Sequence, residues 1–237
     1  MAIDMRQTAS PGARMYDDVQ QLVDDAISKV GHDIVLGLPI AVGKPTHIGN
    51  EFYRRAKQNS KIKLIICSGL TLHTPRWKND LERRFMEPLV ARLFPDYPNP
   101  VFYSDALAGR LPQNVELREI YFSPGSSLGN DRMQQSYLSA NFTHVPRDMD
   151  SAGCNVAAAM VSRRGDNYSL GSNCDAAITM IRLVREQIRN GKPAAVLGQV
   201  NSSMPFMFGD GELGSDAFTG IVDNRKLYHG LFAPQSG

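Results

Sequence analysis

A chain of 237 residues with 42% hydrophobic and 21% charged content is long enough to bury a full core, as one large domain or two small ones. The formal net charge is only +2, and the arginine pairs at 54–55, 83–84 and 163–164 are dispersed among acids, so no basic block of the kind that attracts nucleic acid is present. No apolar run nears the roughly 18 residues of a membrane span, and MAIDMRQTASPGAR lacks the apolar centre of a secretory signal.

Residues 1–14 read as a flexible leader, and 15–237 as a single soluble domain. From Tyr16 to Val30 the residues Val19, Leu22, Val23, Ala26, Ile27 and Val30 keep the three-and-four spacing of one helix face, with Gly31 as the stop. DIVLGL (33–38) reads as a buried strand, and Pro45 starts a second helix, THIGNEFYRRAKQ, since the first turn loses nothing when its N–H is absent. KIKLIIC (61–67) is the next strand. A helix near 79–94 carries Leu81, Phe85, Leu89 and Leu93 on one side, with Pro88 predicting a kink or break.

VFYS (101–104) and VELREIYF (115–122) are further strand candidates, the alternation of the second slipping at Glu119 as at a bulge. CNVAAAMVS (154–162) predicts a strand buried on both faces. Asp175 is placed to cap a long helix, AAITMIRLVREQIRN, that Gly191 ends, and AAVLGQV (194–200) follows as another buried strand. This alternation predicts an α/β domain with a mainly parallel sheet flanked by helices. In such sheets ligands meet the loops at the carboxyl ends of the strands.

Four such loops carry candidate chemistry. GLPIAVGKPTH (37–47) imitates a phosphate loop, but its spacer has five residues and Pro45 stands where a metal-binding hydroxyl belongs, which argues against ATP. Its Gly43, Lys44, Thr46 and His47 instead offer amides and a cation to an anion; the plainer alternative is a strand-to-helix turn with an exposed lysine. PGSSLG (124–129) matches a nucleophile elbow, with Ser127 as nucleophile and Asp175 or Asp210 and His229 following in triad order. A three-residue match among 20 glycines also arises by chance. YSLGSNCD (168–175) contains Ser169 and Gly171 at the mouth of the long helix, where capping by Ser172, Asn173 or Asp175 accounts for much of the composition. QVNSSMPFMFGDGEL (199–213) sets Asn201, Met204, Pro205, Gly209 and Asp210 in a long loop after a buried strand.

The five histidines never fall at metal-ligand spacing, so metal ligation has no support. Cys67, Cys154 and Cys174, odd in number and beside apolar residues, suit reduced thiols of a cytoplasmic protein.

Taken together, QVNSSMPFMFGD, VSRRGDNYSLGSNCD, LSANFTHVPRDM and GLPIAVGKPTHIGNEFYRRA resemble, in order, segments of the amino-terminal half of the acetyl-CoA hydrolase/transferase family, a branch of the class I CoA-transferases. The resemblance runs from about residue 30 to the end; Asn173, Cys174 and a shortened spacer before Tyr168 depart from it. It implies acyl-CoA chemistry, with coenzyme A arriving as an acyl-CoA substrate, no tightly bound cofactor and no metal. An acyl group passes to a glutamate carboxylate, and a glutamyl-CoA thioester is then resolved by water or by a second carboxylic acid.

In the family that glutamate lies in a similarly folded second half, so the resemblance implies a partner catalytic domain beyond this chain and little turnover by the chain alone. It also places Gly43, Lys44, Thr46, Ser169, Gly171, Asn201, Met204, Pro205, Gly209 and Asp210 on the substrate side of the cleft. The chain's own glutamates lack the glycine-rich surroundings of the family's nucleophile; most sit on helix faces beside lysine or arginine. Self-association through the face that would meet the second domain is compatible with the sequence. A serine esterase built on Ser127 and His229, and a non-catalytic module binding coenzyme A or a protein, are the rival readings.

Overall fold

The computed structural model describes residues 12–231 other than 76, 95 and 175. In chain order the elements are β1 (Arg14–Tyr16), α1 (Val19–Val30), β2 (Asp33–Gly37), α2 (Thr46–Gln58), β3 (Lys63–Ser68), α3 (Asp80–Leu93), α4 (Val101–Leu107), β4 (Val115–Glu119) and α5 (Asp131–Gln135). Then come α6 (Val145–Ser151), β5 (Val156–Arg164), β6 (Asn167–Ser169), α7 (Ala176–Arg189), β7 (Ala195–Val200), β8 (Glu212–Gly214) and β9 (Gly220–Val222). Seven strands lie parallel in the order β1-β9-β7-β5-β2-β3-β4, and β6 and β8 extend from β5 as an antiparallel ribbon. The expected α/β architecture is the one observed.

Helices cover both faces of the sheet. Because successive strand residues point to opposite sides, Val156 and Ala158 of β5 join the core beneath α1, α2 and α4, whereas Ala157 and Ala159 join the core beneath α6 and α7. The periodic faces read from the sequence are those that pack: Leu22, Val23, Ala26 and Val30 of α1, and Ala177, Ile181 and Val184 of α7. Each such valine, leucine or isoleucine contributes about 1.5–3 kcal/mol by leaving water, and each alanine about 0.8 kcal/mol or less. Among the described residues no helix is long and apolar enough to cross a membrane.

Several boundaries differ from expectation. The helix predicted from Tyr16 starts at Val19, because Asp18 caps it by accepting from Gln20 N (2.8 Å), while Tyr16 ends β1. Residues 1–11 lie outside the described ones, and β1 begins inside the span read as leader, with Arg14 opposite Gly220. VFYS is not a strand. It opens α4, whose Phe102, Tyr103 and Ala106 bury one helical face; a window of four residues is too short to separate the two periods. The helix α3 runs through Pro88 unbroken, yet none of its residues is buried and Leu81 and Phe85 are exposed. The capping role given to Asp175 lies outside the described residues.

The α2–α4 contact is held by Asp105, which accepts hydrogen bonds from Tyr53 Oη (2.7 Å), Arg110 (2.8 Å) and Lys57 (3.2 Å). Burial acts to raise the Asp105 pKa, but these three donors outweigh it and hold the carboxyl below its ordinary value. A depressed folded pKa adds stability that is present above the unfolded pKa of about 4 and is lost as pH falls through the folded value. Asp105→Asn is therefore expected to show a shallower loss of stability below about pH 4 in acid unfolding curves. Curves of equal slope would contradict this.

Candidate active site

The carboxyl ends of the parallel strands carry the loops singled out above, and three of them interlock. In the first, a 3-10 turn over Ala41–Gly43 follows β2. Gly43 is buried against Asn173 of the third loop so closely that a side chain there would run into it, and Asn173 Nδ2 donates to Ile40 O (2.6 Å). This asparagine is thus the tie between two loops. Thr46 is fully buried at the first turn of α2.

The third and fourth loops are joined by Ser169. Its hydroxyl donates to Met207 O (2.8 Å) and accepts from Met207 N (3.0 Å) and Gly171 N (3.1 Å). Gly171 has φ of 57°, with the Met204 side chain and the Pro205 carbonyl packed where a Cβ would stand. Asn201, at the end of β7, is buried and donates to His229 O (3.1 Å) while its Oδ1 accepts from Ser203 N (3.0 Å). Gly209 and Asp210 line an open cleft of about 360 Å³ with Arg182, Arg185 and Glu212, next to Gly211, whose carbonyl accepts from Leu170 N (3.0 Å) of the third loop. The structure therefore brings together Gly43, Ser169, Gly171, Met204 and Pro205, with Thr46 and Asn201 buried at the adjoining strand and helix ends.

Lys44 departs from both sequence readings. It is neither exposed nor turned outward: at 1% exposure its ammonium donates to Pro39 O (2.6 Å), to Ser68 Oγ and more weakly to Gly69 O (3.4 Å). The predicted bulge at Glu119 is not there either. Val115, Leu117 and Glu119 all face inward, so the slip in alternation is a carboxylate in a core position of an unbroken strand, and Thr71 Oγ1 donates to it. Burial raises the Glu119 pKa and lowers that of Lys44, each opposed by the charge of the other.

Other glutamates are engaged in ion pairs, the buried Glu51 with Arg54 (2.6 Å) and Arg55 (3.1 Å), and nearer the surface Glu87 with Arg83 (2.9 Å), Glu116 with Arg118 (2.7 Å) and Glu186 with Arg189 (3.2 Å). Sequence reading grouped Glu119 with these. The signal that separates it is the charged residue at an inward position of an alternating strand.

The elbow reading of Ser127 fails on geometry. A nucleophile needs its base within about 3 Å, and Ser127 Oγ is buried with no hydrogen-bond partner. It follows β4, the edge strand of the sheet, not a central one. His229 packs instead against His47 and Tyr97, with ring centroids 6.1 and 5.6 Å away, and burial lowers the pKa of both histidines. The thiols of Cys67 and Cys154 are buried and pushed up to about 12, as expected of inert structural cysteines. Among the described residues no cluster of three or more histidine, cysteine or acidic side chains is placed to hold a metal.

No protein-family model and no curated protein matches the sequence. The fold resembles that of RipA. RipA from Yersinia pestis aligns over 94% of this chain and 44% of its own, at 15% identity and a TM-score of 0.62. A point variant of RipA gives 16% identity and a TM-score of 0.60, over 93% of this chain and 46% of its own. A 4-hydroxybutyrate CoA-transferase from Porphyromonas gingivalis aligns over 88% of this chain and 38% of its own, at 17% identity and a TM-score of 0.45. The chain spans less than half the length of RipA. At these identities the likeness to RipA is one of fold alone, an α/β domain with a mainly parallel sheet.

Proposed function

We propose that this domain supplies one wall of an acyl-CoA site and works with a second domain as a hydrolase or CoA-transferase acting on acetyl-CoA or a similar short acyl-CoA. The observation that carries this reading is the knot of strand-end loops, in which the segments resembling the acetyl-CoA hydrolase/transferase family pack on one another through Gly43, Asn173, Ser169, Gly171 and Met204. These loops set glycine-rich backbone at the edge where a parallel sheet receives ligands.

In the proposed reaction a glutamate of the second domain attacks the thioester carbonyl, and the C–S bond breaks to release CoA thiolate and leave a mixed anhydride. The thiolate then attacks the glutamyl carbonyl, freeing the acyl carboxylate and forming glutamyl-CoA. Water, or a second carboxylate, resolves that thioester. A carboxylate is a weak nucleophile, so the reaction depends on orientation and on amide donors held ready for the developing oxyanion. The loop backbones are assigned that task. The glutamate is assigned elsewhere because Glu119 is sealed in the core, Glu51 is buried in ion pairs with Arg54 and Arg55, and the remaining glutamates of this chain are exposed or half-buried.

Thiol release from acetyl-CoA, followed with a chromogenic thiol reagent for this chain and for the intact gene product, tests the reading. Release is expected from the intact product only. Turnover by this chain alone, or none by the intact product with or without an added carboxylate acceptor, would overturn it.

A further inference from the structure

Lys44 and Glu119 have no place in that chemistry, yet both are almost completely shut off from solvent, at 1% and 0% exposure. Their contacts cross three strand ends. The Lys44 ammonium donates to Pro39 O in the turn after β2 and to Ser68 Oγ and Gly69 O at the end of β3. One residue pair further on, Thr71 Oγ1 reaches Glu119 at the end of β4. The second carboxylate oxygen, Glu119 Oε2, is buried with no hydrogen-bond partner.

The two turns held by the ammonium are strained. Ala41 has φ of 53° and Leu70 of 45°, and they are two of the three non-glycine residues with positive φ among those described. Left-handed backbone is unfavourable for residues that carry a Cβ, and it persists where surrounding contacts over-determine it. Ala41 lies two residues beyond Pro39, and Leu70 directly follows Gly69. Ala41 N also donates to Gly69 O (3.3 Å), so each strained turn braces the other. A buried ammonium is costly without a compensating charge; Glu119 offsets that cost through its field and not through an ion-pair contact. The geometric link between the two runs through the turn from Ser68 and Gly69, which the ammonium holds, to Thr71, which holds the carboxylate.

We propose that Lys44 is a positioning residue: with Glu119 as its buried counter-charge it clamps the turn after β2 to the turn after β3, and so sets where the backbone of residues 41–43 and 69–71 meets an acyl group. The acyl ligand rests on the function proposed above; the clamp does not.

Hydrogen exchange read by mass spectrometry on peptides spanning 38–45 and 67–73 tests it, in the intact gene product and in its Glu119→Gln and Lys44→Met variants. Glu119→Gln is expected to speed exchange roughly tenfold in both segments, although neither contains residue 119, while peptides of α7 keep their protection. The double variant should be no worse than Lys44→Met. If either variant fails to fold, Thr71→Val, which strips the hydrogen bond from Glu119, carries the same expectation. Turnover adds a readout that a merely structural lysine would not move: Glu119→Gln should lower kcat with little change in KM, and an unchanged kcat in a folded variant counts against positioning. Unchanged exchange in both segments, or a response confined to the segment bearing the substitution, overturns the clamp. Exchange needs no substrate, so loss of the clamp and loss of the acyl-CoA reading are seen separately.

Discussion

Lys44→Met is expected to cost the fold about 3–5 kcal/mol, because it strips the buried Pro39 O, Ser68 Oγ and Gly69 O of a charged donor and removes the positive charge that offsets burial of the Glu119 carboxylate. For a domain of this size that is a fall in Tm of roughly 10 °C, and a large share of a total stability of about 5–15 kcal/mol. Glu119 can escape part of the cost by binding a proton. Its folded pKa is raised by burial above the unfolded value, so the stability of the protonated form is present at low pH and is lost as pH rises through the folded pKa. The loss in Lys44→Met should therefore grow with pH across the neutral range. Adding Glu119→Gln should recover part of it, since removing both charges costs less than removing one. Urea denaturation of the two single variants and the double variant measures this, and a loss under about 1 kcal/mol in Lys44→Met would show that the pair is dispensable.

Gly171→Ala carries the second large effect. Its φ of 57° costs an alanine about 1 kcal/mol. The new methyl would also stand 2.7 Å from Met204 Cε and 3.0 Å from the Pro205 carbonyl oxygen. The methionine end can swing aside, but the carbonyl moves only with the loop, whose hold on the sheet includes Ser162 Oγ donating to Pro205 O (3.2 Å). Overpacking of this kind adds about 1–3 kcal/mol. Gly165→Ala is the matched control, for Gly165 has φ of 62° with nothing within 4 Å of its missing Cβ, and should show the backbone strain alone. Equal losses in the two variants would mean that the third and fourth loops are not packed as described.

The parts of the fold legible in the sequence were those with long, uniform patterns. The apolar face of α1, the doubly buried β5 and β7 and the helix α7 each repeat their signal over enough residues to fix type and direction. Short elements do not. The strands β1, β6, β8 and β9 have three residues each, and no period is readable in three. VFYS failed for the same reason, its helical continuation to Ala106 lying outside the window.

At the site, the loops were found because they follow strands, but the behaviour of two side chains was not. Lys44 looked like a surface cation because its acceptors, Pro39 O, Ser68 Oγ and Gly69 O, come together only when β2 and β3 pair. Glu119 looked like a bulge because a carboxylate at a core position is costly until the folded chain brings it the Thr71 hydroxyl and the field of the buried Lys44 ammonium, 75 positions earlier in the sequence.

Trapping the covalent intermediate tests the central claim most directly. The intact gene product is incubated with acetyl-CoA, the enzyme-bound thioester is reduced with borohydride, and the altered residue is located by peptide mass mapping. A modified glutamate outside residues 1–237 is the predicted result. Modification inside them, at Glu119 or Ser127 above all, would contradict the account.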